Sequence, residues 1–222
     1  MQQTYAIIGL GRFGSSLLES LMAAGQEVLA IDKDPDTVED YMDIATHAVI
    51  ANAQEEDALK DLDLPSFDHV IVCIGHNQQA SILTTILLKD LDCKDVIAKA
   101  ETKLHARVLE KVGADLVVRP ELEMAERLAE NLMAPNLVSY IELGDGYSIA
   151  EIKVANLKYS NKSITDLNLD RLDGLHVVAL KSKDQVVMEP TADTMVQIGD
   201  VLTVMGKTVD VQFFEESISV EK

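Results

Sequence analysis

The chain has 222 residues, 47% of them hydrophobic and 26% charged, enough for one large or two smaller globular domains and unlike a disordered chain. Its 19 basic against 38 acidic residues give a formal charge of −19, which excludes Lys/Arg-driven capture of nucleic acid or of an anionic lipid surface. No apolar run reaches the ~18–20 residues of a membrane span, no basic n-region opens the chain, and Cys73 and Cys93 lack CxxC spacing, so a reducing cytoplasm is the expected setting.

Strand and helix signals alternate through the first 120 residues. Thr4–Ile8 reads as a buried strand, and Arg12–Ala24 as a helix with Leu17, Leu18, Leu21 and Met22 on one face. Gln26–Ile31 is a second strand. Pro35–Ile44 is a helix, with Asp34 as N-cap and Pro35 at its first position. Strands follow at His47–Ile50, His69–Ile74, Asp95–Lys99 and Asp115–Val118, and helices at Gln54–Leu62, Asn77–Leu91 and Lys103–Val112. The near-continuous apolarity of HVIVCI fits a sheet covered on both faces. This rhythm predicts an α/β fold, a Rossmann-like doubly wound parallel sheet. After Arg119-Pro120 the pattern changes. Glu121–Leu132 is a helix, which Asn136–Tyr140 continues beyond a break at Pro135. Strands are expected at Ser148–Val154, Val177–Lys181, Gln185–Met188 and Val201–Met205, turns at Gly144-Asp145-Gly146 and Lys183-Asp184, and a short helix at Ser163–Leu167. The expected division is a nucleotide-binding domain over 1–139 and a small α+β domain over 140–222, with charges of −13 and −6.

The chemistry concentrates at Gly9-Leu10-Gly11-Arg12-Phe13-Gly14, which follows a strand and opens a helix. In such a loop Gly9 permits the tight turn, Gly11 lets the backbone approach a pyrophosphate, and Gly14 lets helix and strand pack closely. The helix N-terminus offers free N–H groups and a partial positive charge. Asp32 ends the second strand and suits ribose hydroxyls; it argues against a 2′-phosphate, with Lys33 tempering the repulsion. A structural Gly-rich turn is the alternative. Arg12 sets a guanidinium over the loop, where it can pair with a terminal phosphate or simply stand in solvent. Further ligand-facing candidates end strands: Asn52-Ala53, Ile74-Gly75-His76-Asn77 and Lys99-Ala100-Glu101, with Lys103 adding charge. Each polar one is equally readable as a cap. No histidine has a metal-ligand spacing partner, His47 and His69 read as packing or capping residues, and Cys73 as a core thiol. Glu121 and Glu123 suit a helix first turn electrostatically; the functional reading of Glu121 is a cation ligand at a subunit interface.

Together AIIGLGRFGSSL, Asp32, THAVIANA, VIVCIG, QASILTTILLK, VLEKVGAD and RPE resemble the cytoplasmic regulatory RCK subunits of Ktr-type potassium uptake systems, a TrkA-N Rossmann domain plus a TrkA-C domain. The resemblance covers essentially the whole chain. It implies homodimers assembled into a homo-octameric ring that docks on an integral-membrane potassium channel subunit, with no nucleic acid and no direct lipid binding. It implies ATP or ADP, and sometimes NAD(H), at the glycine loop, with ATP favouring the activating ring. Arg12 would then reach the γ-phosphate, and Glu121 a divalent or monovalent cation near the nucleotides. In several relatives cyclic di-AMP inhibits through the C-terminal domain. The matching positions here are Ile164, Arg171, His176, Val177 and Pro190. An NAD-dependent oxidoreductase and a Trk-type regulator are the alternatives. The first lacks a poised acid or base and room for a substrate domain, and the second usually carries tandem N/C pairs.

Overall fold

The computed structural model describes residues 3–134, 136–167, 174–183 and 185–218. Its contacts divide the chain into two compact units, Met1–Met124 and Ala125–Lys222.

In the first unit strands β1 (Thr4–Ile8), β2 (Glu27–Asp32), β3 (His47–Ile50), β4 (His69–Val72), β5 (Val96–Lys99) and β6 (Leu116–Val118) alternate with helices. The helices are α1 (Arg12–Ala23), α2 (Pro35–Tyr41), α3 (Glu56–Asp61), α4 (Gln78–Asp90) and α5 (Lys103–Lys111), with a one-turn 3-10 helix at Leu64–Ser66. The strands form one six-stranded sheet in the order β3-β2-β1-β4-β5-β6. All its pairings are parallel. The expected Rossmann-like architecture is therefore present. Alternate residues of the central strands face opposite layers of core, which is why β2 and β4 read as near-continuous apolar runs. Ala6, Ile8, Leu29, Ile31, Val70, Val72 and Ala98 pack with Leu59, Leu88 and Leu109 of α3, α4 and α5. Ile7, Val28, Ala30, Ile71 and Cys73 pack with Leu18 of α1 on the other side. The strand order reverses between β1 and β4, and a doubly wound sheet binds ligands in the crevice at that switch.

Helix α6 (Pro120–Met133) precedes a second, antiparallel sheet. Its strands are β7 (Leu137–Gly144), β8 (Tyr147–Lys153), β10 (His176–Ser182), β11 (Gln185–Met188) and β13 (Val201–Lys207), in the order β11-β10-β13-β8-β7. The short strands β9 (Lys162–Ser163) and β12 (Met195–Val196) pair separately, and α7 (Thr208–Ile218) ends the described chain. One-turn 3-10 helices lie at Leu157–Tyr159 and Thr165–Leu167. Ala150, Ile152, Leu202 and Val204 of β8 and β13 bury against Val211, Phe214 and Ile218 of α7. This is the small α+β module expected of the C-terminal region.

Three expectations change here. Asn136–Tyr140 does not prolong α6. Gly144, Asp145 and Gly146 take φ of 89°, 51° and 78°, so the chain folds back and Tyr140 pairs with Ala150 in a hairpin. The helix expected at Ser163–Leu167 shrinks to a strand pair and a 3-10 turn, because Ser163 pairs with Met195. Helix α7 was not anticipated, although Val211, Phe214 and Ile218 lie at helical spacing. The expected division after residue 139 lies within β7. Pro135 lies outside the described residues. Among the described residues no helix is long and apolar enough to cross a membrane.

Candidate functional site

The glycine loop connects β1 to α1 at the switch point, and each glycine in it does different steric work. Gly9 has φ +98°, and a side chain there would press on the backbone of Cys73 and Ile74 at 3.2 Å. A Cβ on Gly14 would lie 1.9 Å from the Gly9 carbonyl oxygen, so α1 touches the loop backbone directly. Gly11 is the opposite case, since a Cβ there would meet nothing within 4 Å. That open space lies at the N-cap of α1, where no side chain caps the helix and no acid occupies its first turn. The amides of Arg12, Phe13 and Gly14 belong to the first helical turn and have no intrahelical acceptor. The geometry suits a phosphate.

Asp32 braces this loop. One carboxylate oxygen accepts the Leu10 N–H at 2.7 Å and the other accepts the Asp34 N–H at 3.0 Å. Each oxygen keeps a further lone pair for a ribose hydroxyl. A cleft of about 190 Å³ opens beside the loop, lined by Gly9, Gly11, Asp32, Lys33, Asn52, Ala53, Ile74 and Gly75 among others. All eight were sequence candidates. Gln54, Asn77, Ala80 and the side of Cys73 complete its lining, along with Ile8, Ile31 and Ala51. No local motif marks Gln54 and Ala80 as ligand-facing; Gln54 reaches the cleft from the turn after β3 and Ala80 from the first turn of α4. Two polar lining residues are also structurally engaged. Asn52 accepts the Gln54 N–H at 3.2 Å and donates to Glu55 at 2.8 Å, and Asn77 caps α4 through the Ala80 N–H at 3.0 Å. Burial pushes the Cys73 thiol up to about 12, so it is an apolar wall, not a nucleophile.

The remaining N-domain candidates stand outside the cleft lining. Arg12 is exposed at the first position of α1. Phe13 turns toward an apolar groove with Leu17, Leu21 and Ile97. Lys103 opens α5 and is exposed. Lys99 is only 8% exposed; its ammonium donates to Glu121 Oε1 at 2.7 Å and lies 5.7 Å from the Phe13 ring centroid. The Lys99 hydrogen bond holds the Glu121 carboxyl below its usual range, helped by the Glu121 N–H and, more weakly, by the charges of Lys99 and Arg12, against burial. Within one chain this surrounding is no cation cage: the carboxylate already holds an ammonium, and the described residues contain no group of three or more His, Cys, Asp or Glu able to hold a metal. His69 stacks on Tyr5 and meets Asp95 at 2.5 Å, away from the cleft.

In the second unit, Ile164 and Val177 pack against the core, His176 is exposed at the start of β10, and Pro190 follows β11. Arg171 lies outside the described residues.

A TrkA-N domain model matches residues 5–120, and a TrkA-C domain model matches residues 149–219. The chain is 43% identical over 218 residues to the Ktr system potassium uptake protein C of Bacillus subtilis, covering 98% of each. It is 44% identical over 211 residues to the Ktr system potassium uptake protein A of the same organism, covering 95% of each. Among solved structures it shares its fold with the GsuK channel bound to NAD, at a TM-score of 0.53 and 20% identity, over 98% of this chain and 38% of that one.

Proposed function

Because the chain belongs to the family of Ktr-system potassium uptake proteins built from a TrkA-N and a TrkA-C domain, we propose that it is the cytoplasmic, nucleotide-sensing subunit that gates a membrane potassium channel, and that it is not an enzyme. The observation that carries this reading is the bare N-terminus of α1 above Gly11, with the Asp32 carboxylate bracing the loop beneath it. An adenine nucleotide would rest its phosphates on the amides of Arg12, Phe13 and Gly14, its ribose on Asp32, with Lys33 beside it, and its base beside Asn52 and Ala53, with Ile74 and Gly75 across the cleft. Lys103 supplies positive charge nearby, and Lys99 adds a charge that it shares with Glu121. In a chain at −19, these local cations offset the global field.

Two states must bind ATP and ADP with different affinity, or the nucleotides shift nothing. The terminal phosphate on Arg12 provides that difference. The proposal continues to homodimers assembled in an octameric ring docked on the channel. A cation at Glu121 belongs to it only as a site completed by a second chain. Cyclic di-AMP, held near Ile164, His176, Val177 and Pro190 together with Arg171, would oppose activation. The division into domains 1–139 and 140–222 is part of the same proposal.

A second reading has NAD(H) in the cleft. Asp32 favours it, since the carboxylate suits an unphosphorylated ribose, and so does the NAD-bound channel that shares the fold. The test is a thermal-shift panel of ATP, ADP, NADH and cyclic di-AMP, with and without Mg²⁺ or Ca²⁺. A ligand at a hundred times its Kd stabilises by about 2.7 kcal/mol, roughly 5–10 °C for a chain this long. A flat response to every adenine nucleotide would contradict the proposal.

A further inference from the structure

Four segments meet beside the cleft: the start of α1 with Phe13, the loop after β4 with Gly75, the end of β5 with Lys99, and the first turn of α6 with Glu121. Lys99 is the odd member. With its side chain only 11% exposed, the Lys99 ammonium needs a counter-charge, and Glu121 supplies it at 2.7 Å from the first turn of α6. The Glu121 side chain is itself 66% exposed, so the partner is at the surface while the cation is inside.

Gly75 sets what else the ammonium can meet. Its φ lies outside the left-handed range, so its backbone does not require glycine. What glycine provides is room. A Cβ there would stand 4.0 Å from Lys99 Nζ and 3.3 Å from Glu101 Oε1, and Gly75 itself lines the cleft. Without a side chain, Gly75 leaves the Lys99 ammonium and the Glu101 carboxylate close behind the cleft lining. His76, 3.8 Å from Glu101, is exposed beyond it.

We propose that Glu121 and a phosphate of the bound ligand compete for the Lys99 ammonium, so that a polyphosphate in the cleft unties β5 from the first turn of α6. The inference rests on the nucleotide reading of the cleft. It makes the Lys99–Glu121 pair a charge relay: a ligand that brings phosphate past Gly75 takes the ammonium, and the carboxylate of α6 is left without it. A nucleoside without phosphates leaves the pair intact.

The test measures ADP binding to the full chain by calorimetry in EDTA, so that no divalent cation bridges Glu121 to the ligand. Glu121→Gln removes the competitor from an exposed position. ADP should bind about three- to tenfold tighter, and adenosine should be unaffected. In a Lys99→Met background the gain from Glu121→Gln should vanish, because the contested group is gone. Simple repulsion between Glu121 and phosphate predicts that the gain survives there, and that result would overturn the relay, as would unchanged or weaker ADP binding by Glu121→Gln alone. If wild-type chain binds neither ADP nor adenosine, the nucleotide reading itself falls, and the relay with it.

Discussion

Gly14→Ala is the sharpest probe of how the loop is built. A Cβ at this position would sit 1.9 Å from the Gly9 carbonyl oxygen and 3.1 Å from Cys73 Cβ, whereas ordinary contacts begin near 3.4 Å. The nearer atom is backbone, so rotamer changes give no relief. Helix α1 must move away from the loop, and the contacts of Leu18 with the sheet loosen with it. Overpacking of this kind costs about 1–3 kcal/mol, and a backbone clash belongs at or above the upper end. Alanine's helix propensity returns at most about 1 kcal/mol. The net loss of about 2 kcal/mol or more corresponds to roughly 4–8 °C in Tm for a chain of this size. Scanning calorimetry of the purified variant measures it. Gly11→Ala is the matched control, since a Cβ there meets nothing and the fold should lose at most about 1 kcal/mol, the difference between glycine and alanine at an N-cap. A Gly14→Ala Tm within about 1 °C of wild type would refute the close-packing account.

Other consequences are open to measurement. Asp32→Ala strands the Leu10 N–H, while the exposed Asp34 N–H turns to water, costing about 1–3 kcal/mol in denaturant unfolding, and Asp32→Asn keeps one acceptor and falls between; full stability in Asp32→Ala would contradict the bracing role. With its thiol pushed up to about 12 by burial, Cys73 in a Cys93→Ser chain should resist an aromatic disulfide reagent at pH 8 until the protein unfolds, so free-thiol reactivity in the native state would count against a sealed wall. The Asp115 carboxyl is lowered: burial raises it, but the Val96 N–H and the Lys89 ammonium outweigh burial. Its contribution is therefore complete above the unfolded value of about 4 and is lost as the pH falls through the folded value. Asp115→Asn should flatten the decline in stability below pH ~4, and an unchanged acid limb would remove Asp115 from the account.

The first unit was legible because its signals are local and redundant. Apolar runs such as HVIVCI, an Asp34-Pro35 helix start and a glycine loop between strand and helix all agree, and the parallel order follows from them. Boundaries moved by a few residues where turns tighten, as at Tyr41, whose carbonyl accepts the N–H groups of Ile44 and Ala45. The second unit was harder. Strand β7 has seven of its eight residues exposed, so it lacks the buried alternation that marks a strand, and only its pairing with β8 fixes it. Helix α7 was masked by the strand that runs directly into it at Lys207-Thr208. At the site, the backbone-directed residues were readable: Gly9, Gly11, Gly14 and Asp32 have positions dictated by local sterics and one hydrogen bond. By sequence alone Lys99 offers only charge. That it is buried and tied to Glu121, 22 positions along the chain, depends on β5 and α6 meeting in space, which no local pattern encodes.

The central claim is that the open space above Gly11 holds the phosphates of an adenine nucleotide. Titration of ATP into wild type and into Gly11→Asp by calorimetry tests it most directly, because the aspartate brings bulk and negative charge to that space in a position with no steric conflict of its own. The account predicts saturable binding near one nucleotide per chain in wild type, and loss of binding in a Gly11→Asp chain whose Tm is preserved. Equal ATP binding by the two chains would contradict it.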